Sequence, residues 1–128
     1  MKYFDTGPLF ISLGFTTKPK SYAKEMVRLG IKDPTPFVNS GSFATVHTLS
    51  HETNGICCIV CLDATIMKKV HVTQLTCLMA HESVHVLQRV REFMGEKCLG
   101  EEMEAYTIQW LTQKLTNEAI KQLGKGKR

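Results

Sequence analysis

The sequence predicts an α+β domain in which a small antiparallel sheet packs against helices. Three observations carry this prediction: a helical stretch that begins at a proline, an alternating stretch followed by Asn54-Gly55, and two long stretches free of Gly and Pro. The long helices follow the strands and do not alternate with them, which is typical of the α+β class. A chain of 128 residues predicts a single domain, 1–128, with a core of its own.

The first third of the chain predicts a strand, a helix and a loop. A short strand is expected around Leu9 to Leu13, where apolar residues dominate. Thr17-Lys18-Pro19 predicts a helix start, because proline fits the first turn, and Gly30 ends the helix. The stretch 31–41 contains two prolines and a glycine and predicts a loop.

The middle of the chain predicts a β-hairpin. Phe43 to His51 alternates between two sets of side chains, as a strand with two different faces does. Asn54-Gly55 predicts a two-residue turn, and Ile56 to Leu62 predicts a return strand that is apolar on both faces. A further short strand is expected near Ile66 to Val70.

Five cysteines favour free thiols in a reducing compartment. Cys58 and Cys61 form a CxxC pair, but in a strand their side chains point to opposite faces, so buried core thiols are the favoured interpretation over a metal or redox site. No signal peptide or membrane span is recognisable, which predicts that the protein is located in the cytoplasm. If the protein is phage-encoded, this is the cytoplasm of the host cell. The net charge is +4, and part of this charge lies in a basic tail, 124–128, which is expected to fray. Neither nucleic acid nor a membrane is expected as a partner.

The stretch from Thr73 to Met94 predicts one long helix, with Thr73 as N-cap and Gly95 just past its end. Its first three turns are apolar on nearly all sides, which predicts a buried helix. The last long helix is expected from Glu101 to Leu123, and its core stripe comprises Ala105, Ile108, Leu111, Leu115 and Ala119.

The buried helix contains the motif His81-Glu82-Ser83-Val84-His85. His81 and His85 are four residues apart and share one helical face, so both rings can bind one ion. Glu82 lies about 60–100° around the helix, where it can reach a water on that ion. With this composition the HExxH pattern arises by chance in about one per cent of such chains.

This motif resembles that of the zincin metallopeptidases, over roughly Thr73 to Leu115, and the short chain also resembles small zincin-like proteins of phage and prophage. The resemblance implies a minimal zincin-like domain that binds Zn²⁺ through His81 and His85. It also implies that Glu82 is the base that activates a zinc-bound water to hydrolyse a peptide bond. The residues after His85 lack the glycine and third histidine of metzincins, so the resemblance is to gluzincin-type enzymes.

A gluzincin takes its third zinc ligand from a glutamate on the following helix. The stretch from Gly100 to Tyr106 resembles its E-x-x-A pattern and implies Glu102 as the ligand, with Glu104 as the alternative. Glu102 shares its side of the helix with Tyr106, whereas Glu104 shares the core stripe. This chain departs from the pattern one residue after Ala105, where related enzymes often have Asp or Asn and this chain has Tyr106.

Three further side chains are candidates for orienting ligands or for donating to a developing oxyanion: Tyr106, His51 and His71. The substrate is expected to be a peptide or protein that lies extended along an edge strand of the hairpin. The alternative is a non-catalytic protein that uses a zincin scaffold, with a structural metal, to bind a protein partner. An intact Glu82 favours the enzyme, because a structural metal site needs no base.

Overall fold

The computed structural model describes residues 1–51 and 55–125, with only the backbone of His51, and it confirms the α+β class. One four-stranded sheet is accompanied by four α-helices and a 3₁₀ turn at Gly7–Leu9. In chain order the elements are β1 (Lys2–Phe4), β2 (Ile11–Thr16), α1 (Pro19–Arg28), β3 (Ala44–His51), β4 (Gly55–Leu62), α2 (Ala64–Met67), α3 (Val72–Met94) and α4 (Glu101–Leu123).

The sheet has the order β1-β2-β4-β3, and it is mixed, whereas a purely antiparallel sheet was expected. β2 and β4 are parallel neighbours, and the antiparallel pairs are β1 with β2 and β3 with β4. The strand expected from Leu9 to Leu13 begins only at Ile11, because the chain first makes the 3₁₀ turn and Phe10 adopts a left-handed conformation with φ 56°. β3 stands at the end of the strand order and bonds to β4 alone among the described strands, so it is an edge strand.

β4 is apolar on both faces, as predicted, because each face of the sheet is covered. Cys58 and Val60 belong to the core formed with α3 and α4, whereas Ile59 and Cys61 pack with α1. All five cysteines are free thiols. Burial raises the pKa of Cys58 and of Cys61 to about 12, so both remain protonated and behave as core residues.

The β3–β4 hairpin is confirmed, with His51 paired to Gly55. The predicted Asn54-Gly55 turn lies partly outside the described residues, since Asn54 is not among them. The short strand expected near Ile66 to Val70 is wrong. That stretch contains the end of α2, which Asp63 caps by accepting a hydrogen bond from the amide of Thr65.

α3 begins at Val72 and has His71, not the predicted Thr73, as its N-cap. His71 Nδ1 accepts from the backbone of Thr73, and Gln74 accepts from the backbone of His71, which completes a capping box. Gly95 ends the helix with φ 71°, a conformation that favours glycine. The expected all-round burial is wrong, because only one side of α3 faces the core and Val84 is 41% exposed.

α4 packs along α3 and buries Leu111, Leu115 and Ala119 between the helices and the sheet. Gly124 caps α4, and Lys125 Nζ donates to the carbonyl of Lys68. The remaining residues of the tail expected to fray, 126–128, lie outside the described part. None of the helices in the described residues is both long and apolar enough to cross a membrane.

Candidate metal centre

His81 and His85 are both exposed on α3. Their Nε2 atoms lie 3.1 Å apart, and the rings meet edge to face with centroids 4.8 Å apart. Two ring nitrogens on one tetrahedral zinc, each about 2.0–2.1 Å from the metal, would be about 3.3 Å apart. The spacing of the two nitrogens therefore fits one shared metal ion with little adjustment.

Gln88 orients His85 for that role. Its Oε1 lies 3.0 Å from Nδ1 of His85, and a carboxamide oxygen can only accept, so Nδ1 holds the proton. Nε2 of His85 then presents its lone pair, here toward the Nε2–H of His81. The hydrogen bond between the two rings thus takes the position in which a metal ion would join them.

Glu82 is the buried member of the motif, with 4% of its surface exposed. Burial raises the pKa of its carboxyl, and the neighbouring His81 and His85 partly offset that rise. A carboxylate with a raised pKa is a better proton acceptor than an exposed one. Glu82 therefore has the environment of a general base.

A cavity of about 430 Å³ brings the motif and the edge strand together. It lies between α3 and β3. Its walls include the two histidines and the glutamate of the motif, together with Ala44, Val46 and Thr48 of β3. The alternation predicted for this strand is confirmed, because Thr45 and His47 are buried and His47 packs against Tyr22 on the α1 side. The cavity thus has an edge strand on one side and the histidine pair on the other.

Two contacts determine the register of α4 on α3. Thr112 Oγ1 donates to Ser83 Oγ at 3.3 Å, and Arg91 pairs with Glu104 at 3.2 Å. The contacts are eight residues apart on each helix, so the helices are antiparallel in one continuous register. Ser83 is about 180° around α3 from the middle of the histidine pair, so α4 packs on the opposite side of α3 from the two rings.

The expected third ligand does not join the two histidines. In this register Glu102 is level with Phe93, roughly 15 Å along α3 from Ser83 at 1.5 Å per residue. Glu104 accepts instead from Arg91 and from the amide of Leu99. Within the ranges 1–51 and 55–125, no three His, Cys, Asp or Glu side chains are grouped as metal ligands. Glu102, with Glu104 as alternative, stays a prediction that this geometry does not support.

The three candidate orienting residues also lie elsewhere. Tyr106 is 65% exposed and borders a separate cavity beside the 3₁₀ turn. His71 caps α3 about 15 Å along the helix from His81. The side chain of His51 lies outside the described residues.

Sequence reasoning missed several residues that line the cavity. Gln88 follows His85 by three residues on the same helix, so helical spacing could have identified it. Arg89 follows one turn after His85 and could have been found the same way. Asn39 and Ser42 come from the loop before β3, and no local pattern in the sequence indicates that this loop reaches the cavity.

Comparison of the chain with protein families, with curated proteins and with solved structures gives no match.

Proposed function

We propose that this protein is a zinc-dependent peptidase, with the substrate cleft between α3 and β3. One observation carries the proposal: a buried glutamate and two convergent imidazoles line the same cavity as an edge strand. A helix with a satisfied core histidine pair would not have both rings exposed with their Nε2 atoms 3.1 Å apart.

His81 and His85 would hold the zinc ion through their Nε2 atoms, and Gln88 would keep His85 in the ligating tautomer. Zinc at such a site supplies Lewis acidity, which acidifies water and polarises a carbonyl group. The two histidines supply two of the four positions of a tetrahedral site. The other two positions would be filled from among a further protein ligand, water and the substrate.

Glu82 would accept the proton of the attacking water and later pass it to the leaving amine. Its burial raises the pKa of the carboxyl above its ordinary value, which suits a group that takes and returns a proton. The position of Glu82 beside both histidines keeps the proton transfer within the cavity.

β3 would hold the substrate, because an edge strand has unpaired backbone groups along one side. An extended peptide can add to such an edge through main-chain hydrogen bonds. Ala44, Val46 and Thr48 face the cavity and would contact alternate side chains of that peptide.

The test compares the wild type with Glu82→Gln, which keeps the shape of the side chain but cannot accept a proton. Zinc content is measured first, and cleavage of a diverse peptide mixture is then followed by mass spectrometry. We expect both proteins to bind zinc and the variant to lose at least about 100-fold in cleavage rate. Glu96→Gln, an exposed glutamate beyond α3, is the matched control. Equal rates in wild type and Glu82→Gln would remove Glu82 from the mechanism.

A second candidate is a non-catalytic protein that uses the same scaffold and a structural metal to bind a protein partner. The observation that favours it is the missing third ligand in the described residues. Zinc bound at full stoichiometry with no cleavage of any peptide by the wild type would select this candidate. A melting temperature indifferent to both zinc and chelator would contradict both candidates, since a metal held by the folded state stabilises it.

A further inference from the structure

Among the described residues that line the cavity between α3 and β3, Arg89 is the one permanent cation. It lies one turn beyond His85 on α3, and on the strand side the cavity is bounded at that end by Thr48. Thr48 pairs with Cys58 in the sheet. Burial has the largest effect on the pKa of the Cys58 thiol and raises it, but the positive charge of Arg89 is close enough to lower it slightly. The guanidinium is therefore on the sheet side of α3, at the Thr48 end of the cavity.

Arg89 has hydrogen-bonding capacity that the described residues do not use. Its Nε is buried and has no acceptor in 1–51 or 55–125. Its Nη2 is 3.0 Å from Glu92 Oε1, but the Glu92 side chain is 64% exposed. An exposed pair of that kind contributes little to stability and does not account for the unmatched Nε.

The two charged groups that line the cavity, Glu82 and Arg89, lie at different places along α3, and the Arg89 end is the positive one. Among its described lining residues, Glu82 is the only carboxylate, and the loop and strand residues are neutral. A guanidinium has five N–H donors, so the Nη atoms of Arg89 can still donate to a carboxylate that enters the cavity. A carboxylate that enters beside Thr48 would meet the Arg89 guanidinium there, in competition with the exposed Glu92 alone among the described residues.

We infer that Arg89 is a specificity-determining residue that selects extended peptides with an acidic side chain. This inference rests on the proposed function. Arg89 is six residues beyond the middle of the histidine pair, or roughly 9 Å along the helix, and an extended peptide covers roughly 3.3 Å per residue. The selected acid is thus two or three residues from the scissile bond.

The direction of the strand decides on which side of that bond the acid lies. Ala44, at the start of β3, borders a pocket with His81 and Cys77, whereas Thr48 is at the Arg89 end. β3 and α3 therefore run in the same direction along the cavity. Antiparallel pairing is slightly more stable per residue than parallel pairing, so we expect the peptide to run antiparallel to β3. Its N-terminal part then lies beside Thr48, and the acid is on the N-terminal side of the scissile bond.

The test first measures binding in the Glu82→Gln protein loaded with zinc, so that no turnover is needed. The probes are N-acetylated, C-amidated peptide pools that differ only in having Asp or Asn at one fixed position. We expect the Asp pool to bind about tenfold tighter, the preference to vanish in Arg89→Gln, and part of it to survive in Arg89→Lys. Lys24→Gln, which removes one exposed positive charge from α1, is the control and should keep the preference.

The second measurement maps the cuts made by the wild type. We expect Asp and Glu to be enriched two or three residues before the cut and this enrichment to disappear in Arg89→Gln. Equal binding of the Asp and Asn pools, or enrichment only after the cut, would overturn the inference. Acid-selective binding that depends on Arg89, without any cleavage, would retain Arg89 as the recognition residue and reject the peptidase proposal alone.

Discussion

Replacing Gln88 with alanine tests whether the histidine pair binds zinc in the way the geometry indicates. Gln88 touches the metal site only through the 3.0 Å hydrogen bond from Nδ1 of His85. Loss of a group that orients a metal-ligating histidine typically costs 10–100-fold in affinity. Gln88 is neutral and only half-buried, so we expect the low end, about tenfold, or ~1.4 kcal/mol.

The affinity is measured by competition with a chromophoric zinc chelator at neutral pH. Gln88→Glu provides the opposite perturbation, because a carboxylate accepts more strongly from Nδ1–H and should tighten zinc binding. Gln113→Ala, an exposed glutamine on α4, is the matched control and should change nothing. If His85→Ala abolishes binding while Gln88→Ala leaves it intact, the orienting role is refuted. If neither changes the affinity, zinc does not bind at this pair.

Three further predictions concern the base, the third ligand and the core. The pKa of Glu82 in the folded protein is raised above its ordinary value of 4.5, so its contribution to stability is present below that value and is lost as pH rises through the folded pKa. The melting temperature of metal-free Glu82→Gln should therefore fall less than that of the wild type between about pH 4 and 7. Parallel curves of melting temperature against pH would contradict the raised pKa. In the observed register Glu102→Ala should leave zinc affinity unchanged, and a large loss would mean that α4 packs differently when metal is bound. Leu111→Ala should lower the free energy of unfolding by about 2–5 kcal/mol, measured by denaturant titration. Val27 is 79% exposed, so Val27→Ala should change that free energy by no more than about 0.5 kcal/mol. Similar changes for both variants would contradict the packing of α4.

The sequence by itself determined the features that depend on spacing along the chain. The histidine pair at i and i+4, the end of α3 at Gly95, and the alternation of β3 all follow from helical and strand periods, which hold wherever an element packs. The position of Glu82 beside the pair follows from the same geometry. These features locate the candidate metal centre without any tertiary information.

Only the tertiary structure decided which side of each element is covered and by what. The parallel pairing of β2 with β4 joins residues about 45 apart, and no local pattern specifies it. α4 packs on the side of α3 that carries Ser83, and this choice, not the E-x-x-A spacing, puts Glu102 far from the histidines. The same packing leaves His81 and His85 facing β3 and places Arg89 in the cavity that the two histidines line. The sequence alone does not decide this, because α3 has apolar residues on several sides and only the packing of the whole core determines which side is covered.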